Sequence, residues 1–257
     1  MTDFKTIRVM TYNVHRCIGM DRRISPERTI EVIRAHRPDI VALQELDVKR
    51  KRTGHVDQAH MIAEKLEMLY HFHSVIHFEQ EQFGNAILSR FPFELKHAGL
   101  LPGEPRFLHK KRGAIWVQVH VGTTDLQFIN THLDLRGRER LMQMEALIGS
   151  DWIGHPECRA PVILSGDFNA HPGSSVCCKV REVLRDVQHP LDTHSHRPTW
   201  FGHWPLRCLD YIFVSPVVEV AAVHISRSRL DKIASDHLPV IADIRIPVEV
   251  QVEAVRK

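Results

Sequence analysis

Very little in this sequence of 257 residues is suited to cross-linking a fold or crossing a membrane. Cysteine is scarce: Cys17, Cys158, Cys177, Cys178 and Cys208 are the whole supply. The count is odd, two are adjacent and no CxxC occurs, which argues against a disulfide framework or a zinc finger and for a reducing compartment. No apolar run is long enough to span a bilayer, and the polar stretch from Met1 to Thr6 lacks an apolar signal region. A cytoplasmic location is the expectation. A strong charge of either sign is also missing. The 34 Lys and Arg against 31 Asp and Glu leave +3. That suits an anionic substrate but falls short of the basic stripe of a dedicated nucleic-acid binder, and no helix-turn-helix or basic helix is evident. Internal repeats and Pro/Gly/Ser-rich linkers are absent too, so a single domain over residues 1–257 is expected.

What is present is enough apolar material, 43% of the residues, for one sizeable core. Short β-rich runs alternate with a few helical ones. Residues 7–14, 39–45, 85–89, 114–121, 126–131, 161–165, 209–214, 217–225 and 238–246 read as strands. Ser25-Pro26-Glu27 reads as the cap and first turn of a helix ending before Pro38. Residues 57–68 look helical. Over 136–153, Leu141, Met144, Ile148 and Trp152 recur at steps of three and four, the spacing of an amphipathic helix. Many strands with few helices predict two stacked sheets flanked by helices.

The informative feature is where polar residues fall. Asn13 closes the first strand and Glu45 the second; Asn130 and His132 close another. Asp167 and Asn169 follow the strand 161–165, Asp210 opens 210–213, and Asp236-His237 precede the last strand. Any one of these alone reads as a turn former or a satisfied histidine. Together they put carboxylates and imidazoles where apolar strands run out, and loops at one edge of a rigid sheet are where sites are built.

These segments resemble the motif blocks of the endonuclease/exonuclease/phosphatase superfamily. The matching stretches are Thr11-Tyr12-Asn13-Val14-His15, Leu43-Gln44-Glu45, Gly84-Asn85-Ala86-Ile87-Leu88-Ser89-Arg90, Thr131-His132-Leu133, Gly166-Asp167-Phe168-Asn169, Leu209-Asp210-Tyr211-Ile212 and Ser235-Asp236-His237. Each is weak alone; seven in the family's order from residue 11 to 237 are not. The resemblance implies an α/β four-layer sandwich, with two mixed β-sheets packed face to face and flanked by helices. It implies a Mg²⁺- or Mn²⁺-dependent phosphoric ester hydrolase, most of all a phosphodiesterase working by in-line attack of water. Glu45 matches the principal metal carboxylate, with Asn13 beside it and Asp236 as a further ligand. Asp167 matches the residue that orients or deprotonates the water, Asn169 the amide that holds water or phosphate, His237 the histidine facing the phosphate, and Asp210 its carboxylate partner. His132 matches the deoxyribonuclease and sphingomyelinase branches, whereas abasic-site endonucleases typically carry tyrosine there. Where pancreatic-type deoxyribonucleases place a glutamate to pair with that histidine, the chain reads Lys111-Arg112-Gly113-Ala114.

Asn85, Asn130, Arg52 and Arg112 are candidate substrate-binding residues. Arg52 belongs to the run Lys49-Arg50-Lys51-Arg52, and Arg112 to the basic stretch with Arg106, Lys110 and Lys111; a solvated loop and a phosphate grip are equal readings for both. Trp200 and Trp204, on either side of Gly202, read as core or as a platform for a base or a lipid. The expected partner is a phosphate-ester substrate, with nucleic acid, phospholipid headgroup, nucleotide and sugar phosphate all open and no obligate protein partner evident. The competing reading is a noncatalytic binding module that keeps the fold, and the completeness of the constellation favours the enzyme.

Overall fold

A computed structural model describes residues 3–103, 111–188 and 196–248 of the protein. The stretch from Arg106 to Lys110 lies outside the described residues. Among the described residues, twelve strands form two six-stranded sheets. One runs β11 (Glu219–Ile225), β12 (Val240–Val248), β1 (Asp3–Asn13), β2 (Ile40–Val48), β4 (Glu81–Ser89), β3 (Leu69–Phe78). The other runs β5 (Phe93–Leu100), β6 (Gly113–Val121), β7 (Thr124–His132), β8 (Val162–Asp167), β10 (Asp210–Val214), β9 (Arg185–Asp186). Both are mixed: β1 and β2 pair in parallel, as do β7 and β8, and the other pairings are antiparallel. The flanking helices are α1 (Pro26–His36), α2 (Gln58–Leu66), α3 (Gly137–Ile148), α4 (Ser175–Arg181) and α5 (Arg229–Ala234).

Strand periodicity explains the layers. Successive side chains alternate between faces. Ile7 and Val9 of β1 and Ile40 and Ala42 of β2 face Ile115, Val117, Phe128 and Ile163 of the second sheet in the core between them. Met10, Tyr12, Val41 and Leu43 turn outward under Ile30 and Ile33 of α1 and Ile62 of α2. Trp116, Ile129, Leu164 and Tyr211 turn outward from the second sheet under Met144 and Leu147 of α3 and Val176 and Val180 of α4. With both faces covered, the central strands are nearly continuous apolar runs. Each fully buried Val, Leu or Ile contributes about 1.5–3 kcal/mol relative to exposure.

Local signals set the ends of elements. Ser25 caps α1 by accepting from Arg28 N at 3.3 Å, Pro26 opens the helix, and Arg37 closes it in a left-handed conformation. Asp57 caps α2 in the same way, accepting from His60 N at 3.0 Å. The helix expected over 136–153 stops at Ile148, because Gly149 leaves the helical conformation; Trp152 is buried from the turns that follow.

Two further expectations change. Glu45 does not end its strand. β2 continues to Val48, and Glu45 sits inside it at φ 61°, where the register against β4 shifts between Leu43 and Leu46. A bulge of this kind re-aims one side chain without ending the strand. Asn130 lies inside the sandwich and not at its edge. It is fully buried, donates to Leu43 O at 2.9 Å and Ala86 O at 2.8 Å, and accepts from Gln44 Nε2 at 2.8 Å. Both of its N–H groups and its oxygen are engaged in bracing one sheet against the other. Asn85, also buried, reaches Gly113 O at 3.4 Å and performs a similar cross-sheet role.

Candidate active site

Strand register assembles the site. Across the second sheet His132 of β7 pairs with Asp167 of β8, and Asp167 with Asp210 of β10, so three titratable side chains stand in one row. In the first sheet Asn13, the last residue of β1, lies beside Gln44 and hence next to the bulged Glu45. Asp236 and His237 reach the row from the segment before β12. Ser235 fixes that segment: its Oγ donates to Asn13 O at 2.8 Å and accepts from His237 N at 3.2 Å. Glu45, Arg112, His132, Asp167, Asn169, Asp236 and His237 then line one cleft of about 560 Å³.

Asp167 is its hub. Its Oδ2 accepts from Asn13 Nδ2 at 2.9 Å and lies 3.4 Å from His132 Nε2 and 3.8 Å from His237 Nε2. Its Oδ1 accepts from Asn169 N at 2.9 Å. Asn169, at φ 49°, also donates Nδ2 to Leu133 O and to His132 Nε2, both at 3.0 Å, and so orients that imidazole. His237 Nδ1 bonds Asp210 Oδ2 at 2.8 Å, while Asp210 is fully buried and its Oδ1 has no partner. Asn13 Nδ2 also approaches Glu45 Oε1 at 3.4 Å, while its own oxygen accepts from His15 N at 3.0 Å. Asn13 therefore meets the acids as a donor that joins two carboxylates.

The electrostatics follow from burial. Desolvation raises the proton affinity of Asp167 far above a carboxylate's usual range; the His237 charge opposes this and Asp210 adds to it. Burial works against a cationic His237, but Asp210 and Asp167 outweigh it and raise its pKa to about 10. A protonated imidazole then persists well above neutrality. In the metal-free protein, an NMR titration of the His237 ring is expected to show its midpoint on the alkaline side, near 10. Asp210→Asn removes the leading favourable charge, so the midpoint should fall. A midpoint near that of free histidine in the parent protein would contradict the coupling.

The basic candidates separate. Arg52 is clamped on Asp47 by bonds of 2.7 and 2.6 Å and lies over the Phe83 ring, and it does not line the cleft. Arg50 pairs with Glu81 at 3.3 Å, so the run 49–52 is partly neutralised by its own neighbours. Arg112 does line the cleft. It is only 6% exposed, and its Nε is buried without a partner. Burial lowers its pKa, against the pull of Asp167, Glu45 and Asp134. A buried cation thus faces the acids of the cleft. Arg140, Trp200 and Arg207 also line the cleft. Trp200 was visible in the sequence only as one of two alternatives. The arginines carried no motif, since Arg140 reaches the cleft from α3 and Arg207 from the chain before β10.

Paired mixed sheets that bring their acids and histidines together at one set of strand ends define the class of DNase I-like phosphoester hydrolases. The chain belongs to the endonuclease/exonuclease/phosphatase family, whose sequence profile matches residues 10–237. It is similar to an endonuclease/exonuclease/phosphatase from Beutenbergia cavernae, with 26% identity and a TM-score of 0.77 over 94% of this chain and 72% of that one. It shares its fold with the Bacteroides thetaiotaomicron mannosyl-6-phosphatase, at 20% identity and a TM-score of 0.73 over 93% of this chain and 99% of that one. The human Nocturnin catalytic domain with bound sulfate is a third relative in fold, at 22% identity and a TM-score of 0.72 over 95% of this chain and 96% of that one. No curated protein matches the sequence. Among the described residues, no helix is long and apolar enough to cross a membrane.

Proposed function

We propose that the protein is a Mg²⁺- or Mn²⁺-dependent hydrolase of phosphate esters, with diesters as the expected class, acting by in-line attack of water. The observation that supports this reading is the shared cleft of Glu45, Asp167 and His237, with Asp210 bonded to His237 behind its wall. The donor set fits a hard cation. Glu45, Asp236 and Asp167 offer carboxylate oxygens in the cleft, and the cysteine that lines it, Cys208, is kept a neutral thiol by burial, which raises its pKa to about 12. Glu45, aimed by its bulge, would be the main ligand and Asp236 a second. When bound, the cation supplies charge that polarises a phosphoryl oxygen and offsets charge on the leaving oxygen.

The chain's own groups do the rest. Asp167, with its raised proton affinity, is suited to take a proton from the attacking water near neutral pH. His237 presents Nε2 on the side facing Asp167 while Asp210 holds Nδ1, so its N–H can bond a phosphoryl oxygen as charge develops. Asn169 fixes His132 on the other side of Asp167. Arg112 adds a second cation for the non-bridging oxygens.

The test is a panel containing bis(p-nitrophenyl) phosphate, p-nitrophenyl phosphate and an abasic DNA duplex, each with Mg²⁺ or Mn²⁺ at one salt concentration. The diester is expected to turn over fastest and the duplex poorly. Gripping a duplex takes several phosphate contacts, and Arg50 and Arg52 are occupied by acids. Selective incision of the duplex with little action on the small esters would contradict the reading.

A further inference from the structure

Four large apolar side chains stand in solvent beside the cleft. Leu135, 69% exposed, lines the cleft itself. Phe201, Trp204 and Leu206 are 41%, 79% and 81% exposed on a turn whose two ends, Trp200 and Arg207, are cleft-lining residues. The turn is firmly built. Leu206 N and Arg207 N both donate to Trp200 O, at 2.6 and 2.8 Å, and Trp204 N donates to Phe201 O at 2.8 Å. Gly202 N donates to Asp236 O at 2.7 Å, and a Cβ at Gly202 would lie within 3 Å of Met20. Phe201 meets Trp200 edge-on at 5.2 Å, and Trp200 Nε1 reaches Asp236 Oδ2 at 3.4 Å. The exposed tip is therefore rigidly coupled to the wall of the site.

We propose that this rim docks the protein on anionic phospholipid bilayers, so that the cleft acts on phosphoesters presented at a lipid surface. The part about turnover rests on the hydrolase reading above; the docking does not. Two features select this occupant. The first is the chemistry of the tips. Two leucines with a tryptophan and a phenylalanine suit the boundary between headgroups and acyl chains, with the indole N–H at headgroup level. A single-strand binder instead spaces aromatic platforms along a basic groove, and leucine offers no face for base stacking. The second is charge. Arg136, Arg138 and Arg207 are exposed in the two rim segments, residues 135–140 and 201–207; Arg136 is paired with Asp134 at 3.4 Å and Glu139 at 3.7 Å, but both of these acids are buried and the arginines outnumber them. An apolar rim flanked by cations and free of exposed carboxylates complements an anionic bilayer. Monomer surfaces seldom leave such side chains clustered without a partner.

The experiment is sedimentation of the full chain with vesicles of phosphatidylglycerol and phosphatidylcholine, or of phosphatidylcholine alone, at two salt concentrations. The parent protein is expected to bind the anionic vesicles, less so at high salt, and brominated lipid should quench its tryptophan emission. Trp116 and Trp152 are buried and Trp200 half-buried, so the part of the quenching that Trp204→Ala removes reports Trp204. Combining Trp204→Ala and Leu206→Ala should weaken partition on the order of a hundredfold, with turnover of soluble bis(p-nitrophenyl) phosphate reporting that the cleft is intact. The proposal is overturned if the parent does not bind anionic vesicles, if the double variant binds as well as the parent, or if lipid leaves the emission unquenched while a single-stranded oligonucleotide quenches it. Vesicle binding in a protein that hydrolyses none of the soluble esters would count against the hydrolase reading and leave the docking standing.

Discussion

Replacing His237 by alanine is expected to lower kcat/KM for diester hydrolysis by about 10²–10⁴-fold, and Asp210→Asn to cause a loss of similar order. The double variant should lose little more than the worse single one, because the two side chains act as a unit. The physical reason is the 2.8 Å bond between Asp210 Oδ2 and His237 Nδ1 in a fully buried setting. Without the carboxylate, burial opposes the imidazolium and the ring loses its orientation. Without the imidazole, the carboxylate is a buried charge with no task. Single-turnover and steady-state rates for the four proteins decide it. If the double loss equals the product of the single losses, the two residues act independently and the dyad is wrong.

The second large effect concerns Glu45. Glu45→Gln keeps the shape of the side chain and removes the charge that holds a hard cation. The left-handed backbone at this position is imposed by the bulge and not by the carboxylate, so the variant should fold normally. Hydrolysis is expected to fall by about 10²–10³-fold, and the Mg²⁺ concentration needed for half-maximal rate should rise. Calorimetric titration with Mg²⁺ provides the independent reading. An unchanged Mg²⁺ requirement together with an unchanged rate would remove Glu45 from the metal site.

Much of this site was legible in the sequence, for a reason that also explains the misses. His132, Asp167 and Asp210 each lie where an apolar strand runs out, and the sheet register sets them side by side. Asn130 stands with His132 near the end of one strand, and Asn85 belongs to a stretch that resembles a family motif, which is why they were credible candidates. Depth separates them. Asn130 lies two residues further into the strand, so it meets the backbone of Leu43 and Ala86 instead of the cleft. Sequence position gives the face but not the depth between two packed sheets.

Arg52 illustrates a different limit. It is seven residues from Glu45, yet its nearest anion is Asp47. Only tertiary structure reveals which acid a basic run meets. The edge strands β3 and β5 were missed because they are half-exposed and rich in histidine and other polar residues, without a clean alternation. Helices α4 and α5, seven and six residues long, offer too few turns for a periodic signal. The wall of the cleft formed by Trp200 and Arg207 depends on a bridge between two segments that no local pattern encodes.

The most direct test of the central claim is turnover of bis(p-nitrophenyl) phosphate by the parent protein in Mg²⁺, after EDTA, and after Mg²⁺ is restored. Hydrolysis should be present, abolished and recovered in that order, and Asp167→Asn should stay inactive throughout. Undiminished hydrolysis in EDTA would mean that the cleft of Glu45, Asp167 and His237 works by other chemistry, and would contradict the account.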